Sequence, residues 1–436
     1  MNAAGATDRV CVIGAGASGI AACRSLALRG IPFDCFERGP QVGGLWRYPP
    51  PQGRGPGYPS LFANTSKSVM QYPSHPMPED FPDYPHHAQV ARYFDDYTDR
   101  YDLRRHIRFD TGVRRVEPVG DSWAVTLDDG TAHRYQAVLV ASGGRHGEPV
   151  HARFDGEYTG RQLHSVDYAG PEEFAGRTVV VVGLGATAAD IATEVSRVAG
   201  TTLLAVRTGH YVVPKILEGR PIDRLSPLMR RLTPEQRSPL VSLVIKLVHG
   251  DMTDWGLPAP PYKPGRGPLI ANSEFLPAIA HGRITPKPVI VSAEGGKVRF
   301  GDGEVVDADA IIHCTGYRLA FPFLDGSLVR GGDDAPPLYH QAVPPELPGL
   351  YFVGLLHSMT ALMPLAEAQS EWIGDLLTGT VRLPPRGEMW SRIRAARRRQ
   401  DRRFHDSSGH LLVDPHEYER LLADERRTHS TRRTHP

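Results

Sequence analysis

Residues Arg9–Arg38 read RVCVIGAGASGIAACRSLALRGIPFDCFER. A short apolar run stops at Gly14, and Gly16 and Gly19 complete the pattern G-x-G-x-x-G. Helix-forming residues follow, and a second apolar run then ends on Glu37. This order of strand, tight turn, helix, strand and acid is typical of a dinucleotide-binding unit.

Each residue type in this pattern has a physical role. Gly14 permits the tight turn, Gly16 lets a pyrophosphate approach the backbone, and Gly19 lets the helix pack closely on the strand. The helix begins next to these glycines, so its N-terminal N–H groups face the phosphates. Glu37 can accept hydrogen bonds from a ribose.

A second unit of the same kind begins at the valine run Thr178–Val182. Gly183 and Gly185 open the pattern G-x-G-x-x-A, and the next strand ends at Arg207, with Thr208 beside it. An acid at this place binds a free 2′-hydroxyl, whereas an arginine accommodates a 2′-phosphate. The first turn therefore suits FAD or NAD, and the second suits NADPH.

Composition narrows the classes of function. The 436-residue chain has a formal net charge of +1, which indicates neither a nucleic-acid nor a membrane partner. None of the four cysteines forms a C-x-x-C pair, so the sequence predicts no metal site and no dithiol centre. No apolar stretch approaches the ~18 residues of a membrane span, and the N-terminus lacks a signal-peptide core. We expect a cytoplasmic protein.

The fold class predicted is α/β, with two Rossmann-like dinucleotide-binding domains, the NADPH domain being inserted into the FAD domain. We place the first part of the FAD domain at residues 1–170 and the NADPH domain, with a proline-rich insertion, at 171–304. The second part of the FAD domain and the C-terminal helices follow at 305–425, and a disordered tail at 426–436. The apolar helix predicted at 239–249 is expected to pack in a core.

With both turns placed, the chain resembles the flavin-containing monooxygenases, a family of class B flavoprotein monooxygenases. GAGASG at 14–19 resembles the family's FAD turn, and GGLWR at 43–47 its flavin-covering loop. ANTSK at 63–67 is similar to the active-site segment, GLGATAADIA at 183–192 to the NADPH turn, and CTGY at 314–317 to a linker.

The family's identifying motif, F-x-G-x-x-x-H-x-x-x-(Y/F), aligns with Tyr158, Gly160, His164 and Tyr168. Tyr158 replaces the usual phenylalanine. The related Baeyer–Villiger enzymes end this motif with tryptophan, so Tyr168 argues against that subclass.

The resemblance implies an enzyme that uses FAD and NADPH. In the family, NADPH reduces the flavin, O₂ then forms a C4a-hydroperoxide, and one oxygen passes to a soft nucleophile, an amine nitrogen or a sulfur. The partners expected are a small-molecule substrate and O₂, and the sequence leaves a homodimer open. The alternatives are a Baeyer–Villiger-type monooxygenase and an NADPH oxidase or redox flavoprotein without oxygen transfer. A dithiol reductase is disfavoured because C-x-x-C is absent.

The resemblance also implies residue roles. Asn64 would act at the flavin edge, although from the residues alone it could equally close a turn. His164 is expected to be a structural hydrogen-bonding residue. The residues expected to contact the cofactors are Gly14, Gly16, Ala17, Ser18, Gly19, Glu37, Gly44, Leu45, Trp46, Asn64, Thr65, Ser142, Gly183, Gly185, Thr187, Asp190, Arg207, Thr208, Thr315, Gly316 and Gln369.

Overall fold

The computed structural model describes residues 8–50, 55–143, 147–225, 232, 234–326, 328, 335–404 and 410–429. The chain divides into two compact units. The first unit consists of Met1–Gln52, Lys67–Gly147 and Leu319–Pro436, and the second of Gly53–Ser66 and Glu148–Arg318.

The first unit is built on a five-stranded parallel sheet. Across the sheet the strands are Leu350–Phe352, Ala137–Val140, Val10–Ile13, Phe33–Phe36 and Ile107–Arg108. Numbered along the chain, this order is 5-4-1-2-3, which is the order of the first five strands of a Rossmann sheet read from the other edge. The strand that opens it is fully buried, which explains its continuous apolar run.

Helix Ala17–Leu28 connects the first two strands of this sheet and packs on helix Met363–Leu377. Arg29, the residue that ends the first helix, joins the two. Its Nη2 atom lies 2.7 Å from both Glu371 Oε2 and Asp375 Oδ1. This pairing, between partly buried side chains, fixes the crossover helix against the rest of the first unit.

A three-stranded antiparallel sheet and further helices complete the first unit. The strands are Val113–Val119, Ser122–Leu127 and Ala132–Tyr135. The remaining helices are Lys67–Met70, His87–Arg100, Arg386–Arg403 and Pro415–Thr428, and the short strands His357–Ser358 and Leu412–Val413 form a parallel pair.

The second unit repeats the parallel design. Across its sheet the strands are Thr285–Lys287, Thr201–Ala205, Thr178–Val182, Ala310–His313 and Arg161–His164. Helix Ala186–Val195, called the second-turn helix below, connects two of them.

Smaller elements surround the sheet of the second unit. They are helices Pro234–His249 and Phe275–Ala280, the parallel pair Tyr211–Val213 and Leu269–Ala271, the hairpin Ile216–Leu217 and Arg220–Pro221, and the antiparallel strands Ile290–Glu294, Lys297–Phe300 and Val305–Asp307.

The boundaries between the units differ from the sequence-based expectation. The chain crosses at Gly147/Glu148 and at Arg318/Leu319 rather than near 170 and 305, and residues from 55 to 66 belong with the second unit. The physical reason is strand pairing, because Ala310–His313 lies between two strands of the second sheet. A buried apolar strand has the same pattern in either sheet.

The expectation that the apolar helix packs in a core holds for one side of it only. Helix Pro234–His249 buries Ile245, which is 3% exposed, but leaves Leu243 55% and Leu247 76% exposed. Apolar residues occur all around this short run, so its sequence does not reveal which side lies inside.

The tail was predicted to be disordered from residue 426, which is wrong for its first residues. Helix Pro415–Thr428 continues through them, and the side chain of Glu425 is buried and accepts a 2.7 Å hydrogen bond from Arg392 Nη1. Residues 430–436 lie outside the described part of the chain. Among the described residues, no helix is both long and apolar enough to cross a bilayer.

Candidate functional site

The three glycines of the first turn meet different surroundings. A Cβ on Gly14, whose φ is +97°, would lie 2.8 Å from the Ala141 carbonyl oxygen, and one on Gly19 would lie 1.8 Å from the Gly14 oxygen. Among the described residues, a Cβ on Gly16 would meet only Gly44, at an ordinary 3.6 Å. The chain therefore does not itself require glycine at position 16, and the space left open beside the helix N-terminus fits a pyrophosphate.

Glu37 closes this turn from the end of the second strand. Its Oε2 atom accepts a 2.7 Å hydrogen bond from the Ala15 N–H, and its Oε1 atom a 2.8 Å bond from the Gly39 N–H. Each carboxylate oxygen can accept a second bond. Glu37 thus orders the turn and retains acceptor capacity for a ribose hydroxyl.

The loop predicted to cover a flavin approaches the same turn. Gly44, Leu45 and Trp46 form a short 3₁₀ helix, and a Cβ on Gly44 would lie 3.2 Å from the Gly16 Cα atom. Arg47 then holds the end of the loop, with its Nη2 atom 2.5 Å from Asp95 Oδ2. The structure thus brings the predicted loop and the predicted turn together within the first unit.

Three more predicted residues lie around the first turn. Ser142 follows the strand beside Gly14, and its Cα atom would be 3.2 Å from a Cβ there. Ser18, in the first turn of the helix, is buried, and a Cβ on Gly354 would lie 2.0 Å from its Oγ atom. With Ala17 beside Ser18, these residues line the carboxyl edge of the sheet, where open α/β sheets bind ligands.

Gln369 was expected to contact a cofactor, but its amide is committed to the protein. The side chain is fully buried, its Oε1 atom accepts from the Gly354 N–H at 2.7 Å, and its Nε2 atom donates to the Tyr418 hydroxyl at 2.8 Å. Its role in the structure is to hold Gly354 in place beside the helix.

The second turn repeats the division among glycines. Gly183 has φ +116°, and a Cβ there would lie 2.6 Å from the Cys314 carbonyl oxygen, whereas a Cβ on Gly185 would meet none of the described residues within 4 Å. Gly185 is the N-cap of the second-turn helix, with Thr187 in the first turn, and no described side chain caps this end. This arrangement also fits a pyrophosphate. Arg207 is exposed just beyond the neighbouring strand, and Thr208 is half-buried beside it.

His164, from the family's identifying motif, makes structural contacts within the second unit. The fully buried His164 accepts a 3.2 Å bond from the Val166 N–H at Nδ1, so the proton is on Nε2, which lies 3.0 Å from the Gly316 carbonyl oxygen. The Thr315 hydroxyl donates to the Val150 carbonyl oxygen. With both ring nitrogens engaged, His164 orders the predicted Thr315–Gly316 turn, as expected of a structural hydrogen-bonding residue.

Residues 55–66, called the anchored segment below, carry Asn64 and are held within the second unit. The Lys215 ammonium donates to the Ala63 carbonyl oxygen at 3.0 Å, and the Ser66 N–H donates to Asp223 Oδ2 at 2.7 Å. These contacts lie on either side of Asn64 and Thr65. Burial lowers the pKa of Lys215.

Asn64 is placed by these neighbours, without a side-chain hydrogen bond of its own to any described residue. Among the described residues, its Oδ1 atom is buried and has no hydrogen-bond partner. A buried acceptor without a partner is costly, so it points to a ligand group or a water at this place.

Asp190, predicted to bind a cofactor, bonds to protein groups through both of its oxygens. Its Oδ2 atom accepts from the Tyr58 hydroxyl at 2.6 Å and its Oδ1 atom from Asn272 Nδ2 at 2.7 Å. Burial raises the pKa of Asp190, while these two bonds and the charge of Lys215 oppose the rise. Tyr58 and Asn272 were not identified from the sequence, because Tyr58 lies in an unpatterned proline-rich stretch.

Comparisons with known proteins agree with this geometry. The model of the flavin-binding monooxygenase-like family matches residues 7–422. Mouse flavin-containing monooxygenase 5 is 32% identical over 431 residues, covering 93% of this chain and 80% of the relative. Rat dimethylaniline monooxygenase [N-oxide-forming] 2 is 32% identical over 437 residues, covering 93% and 79%.

A solved structure is similar over nearly the whole chain. The S-allyl-L-cysteine S-oxygenase from Allium sativum superposes with a TM-score of 0.72 at 28% identity, covering 98% of this chain and 90% of that one. This chain belongs to the flavin-binding monooxygenase-like family and is a flavoprotein oxidoreductase. The resemblance and the fold class inferred from the sequence are thereby confirmed.

Proposed function

We propose that the enzyme binds FAD at the first turn and NADPH at the second, and transfers one atom of O₂ to an amine nitrogen or a thioether sulfur. The observation that carries the proposal is the second glycine of each turn: among the described residues, a Cβ would make only ordinary contacts with Gly44 at Gly16 and would meet nothing within 4 Å at Gly185, and two such turns before helices fit two dinucleotides. One relative is named as N-oxide-forming, and the similar solved structure is named an S-oxygenase. Both names support a soft nucleophile as substrate.

When bound, the reduced flavin supplies the activated oxygen. The chain contributes binding, orientation and exclusion of water. Glu37 and the first turn hold one nucleotide, and the second turn with Arg207 holds the other. Asn64, fixed by its neighbours on the anchored segment, offers an amide that donates hydrogen bonds without moving far.

The Asn64 amide is proposed as the donor that retains the activated oxygen until the substrate arrives. Loss of one fixed donor from a water-excluded site costs about 3 kcal/mol, or roughly 10²-fold in rate. Asn64→Ala should therefore still consume NADPH but release most of the oxygen as hydrogen peroxide. Asn64→Asp keeps the shape, lacks the N–H donors, and should show the same defect.

The measurement is product formed and peroxide released per NADPH consumed, with thioether, amine and ketone panels. We expect sulfoxides or N-oxides from the wild type and little ester from ketones. Unchanged coupling in both Asn64 variants would remove this residue from the reaction. Dominant ester formation would place the enzyme in the Baeyer–Villiger subclass, and peroxide alone with every substrate would identify an oxidase.

A further inference from the structure

The anchored segment is attached to one face of the second-turn helix. The Tyr58 hydroxyl donates to Asp190 Oδ2 at 2.6 Å, and the Ser60 hydroxyl donates to Glu194 Oε2 at 2.7 Å. Residues 190 and 194 are four apart, so their side chains lie on the same side of the helix, one turn apart. Two hydroxyls two residues apart on the segment thus meet two carboxylates one turn apart on the helix.

Further bonds hold the two carboxylates in place. Asp190 Oδ1 accepts from Asn272 Nδ2 at 2.7 Å, and Glu194 Oε2 also accepts from the Tyr168 hydroxyl at 3.0 Å. Both oxygens of Asp190 are therefore used to join protein segments. Tyr58 is 2% exposed, so its bond to a carboxylate is shielded from water. Hydrogen bonds to charged groups are strongest in such a buried environment.

The second-turn helix has a second proposed role at its N-terminus. Its N-cap is Gly185, where a Cβ would meet none of the described residues within 4 Å and the coenzyme pyrophosphate is proposed to bind. One rigid element of about ten residues thus carries the coenzyme cradle at its end and the anchored segment, with Asn64, along its side.

We propose that Asp190 and Glu194 are positioning residues, which act through Tyr58 and Ser60 to fix Asn64 relative to the bound coenzyme. This inference rests on the proposed function of Asn64. It gives Asp190, predicted to bind a cofactor, a role in supporting Asn64. The partners of both carboxylates lie more than 120 positions away in sequence. These bonds therefore join two distant segments of the chain and do more than stabilise the helix that carries the carboxylates.

The test compares Tyr58→Phe, which removes one hydroxyl, with Tyr135→Phe. Tyr135 is equally buried in the first unit, and its hydroxyl bonds to Asp34 Oδ2 at 3.0 Å, so the control removes a matched phenol–carboxylate bond elsewhere. In Tyr58→Phe, amide hydrogen exchange in residues 55–66 should quicken about tenfold, because the loss of one such bond favours local opening. Tyr135→Phe should leave exchange there unchanged.

The catalytic readout is product per NADPH in the FAD-loaded enzyme. In Tyr58→Phe it should fall at least threefold, while NADPH consumption changes less than twofold, and Asp190→Ala, which also loses the bond from Asn272, should lose at least as much. The double variant should be no worse than Asp190→Ala alone, because that variant already lacks the acceptor for Tyr58.

Unchanged exchange in Tyr58→Phe would overturn the anchoring, and faster exchange with unchanged product per NADPH would overturn the positioning of Asn64. Equal losses of product per NADPH in Tyr58→Phe and Tyr135→Phe would also refute the positioning of Asn64, since the effect would then not be specific to the anchored segment. If the wild type itself forms no oxygenated product, the proposed function fails, and the positioning role falls with it whatever the exchange data show.

Discussion

At the scale of single residues, glycines in one motif have unlike roles. Gly14 and Gly19 are required by the chain itself, because a side chain on either would overlap a carbonyl oxygen. Gly16 is not, since a Cβ there has ordinary room. A glycine that the chain does not require fits the proposed approach of a pyrophosphate to the backbone, and Gly185 has the same place in the second turn.

This difference predicts separate outcomes for two variants of the first turn. Gly16→Val should fold and keep the thermal midpoint within a few degrees, but should lose its FAD and its yellow colour, because the side chain fills the cradle. Gly19→Val should destabilise the protein itself, since its Cβ would lie 1.8 Å from the Gly14 oxygen. The measurements are flavin absorbance per protein and thermal unfolding of the apo form. A folded Gly16→Val variant with stoichiometric FAD would refute the assignment of the turn.

At the scale of elements, the two strand–turn–helix–strand units diverge where their second strands end. Glu37 follows strand Phe33–Phe36 and is bonded to two backbone N–H groups of its own turn. Arg207 follows strand Thr201–Ala205 and is exposed. Both units have the same order of elements, but the side chains that follow their second strands carry opposite charges. This is the difference expected between sites for two different nucleotides.

The exposed arginine predicts coenzyme preference. Arg207→Ala should raise the KM for NADPH about 10- to 100-fold, the equivalent of one lost charge-assisted bond of roughly 1.5–3 kcal/mol, and leave the KM for NADH nearly unchanged. Arg283→Ala removes another exposed arginine of the second unit and serves as the control. The assay is steady-state reduction with each coenzyme. A wild type that uses both coenzymes equally well would contradict the assignment.

The sequence predicted what depends on neighbours along the chain and missed what depends on distant ones. Both turns, with Gly16 and Gly185, follow from local spacing. The bond between Tyr58 and Asp190 does not, because nothing near either residue indicates its partner. Strand Ala310–His313 was assigned to the other unit for the same reason, since a buried apolar run does not identify the strands that it will join.

At the scale of the whole molecule, stability depends on a neutral buried histidine in the second unit. His313 is fully buried, its Nδ1 atom accepts from the Ala152 N–H at 3.2 Å, and its Nε2 atom lies 3.2 Å from Gln162 Oε1. Burial, with the nearby His151 and His164, lowers the pKa of His313 to about 4. The folded state therefore holds this ring uncharged at neutral pH.

Because an unfolded histidine titrates near 6.5, the unfolded chain takes up a proton here before the folded one. The stabilisation is complete above pH 6.5 and is lost as pH falls towards 4, by about 2 kcal/mol at pH 5. His313→Gln cannot titrate, so its free energy of unfolding should fall less between pH 7.5 and 5, by about that amount. Urea denaturation at both pH values measures this, with the exposed His281→Gln as control. If the free energy of unfolding fell equally with pH in wild type and His313→Gln, protonation of His313 would not be the cause of the acid destabilisation.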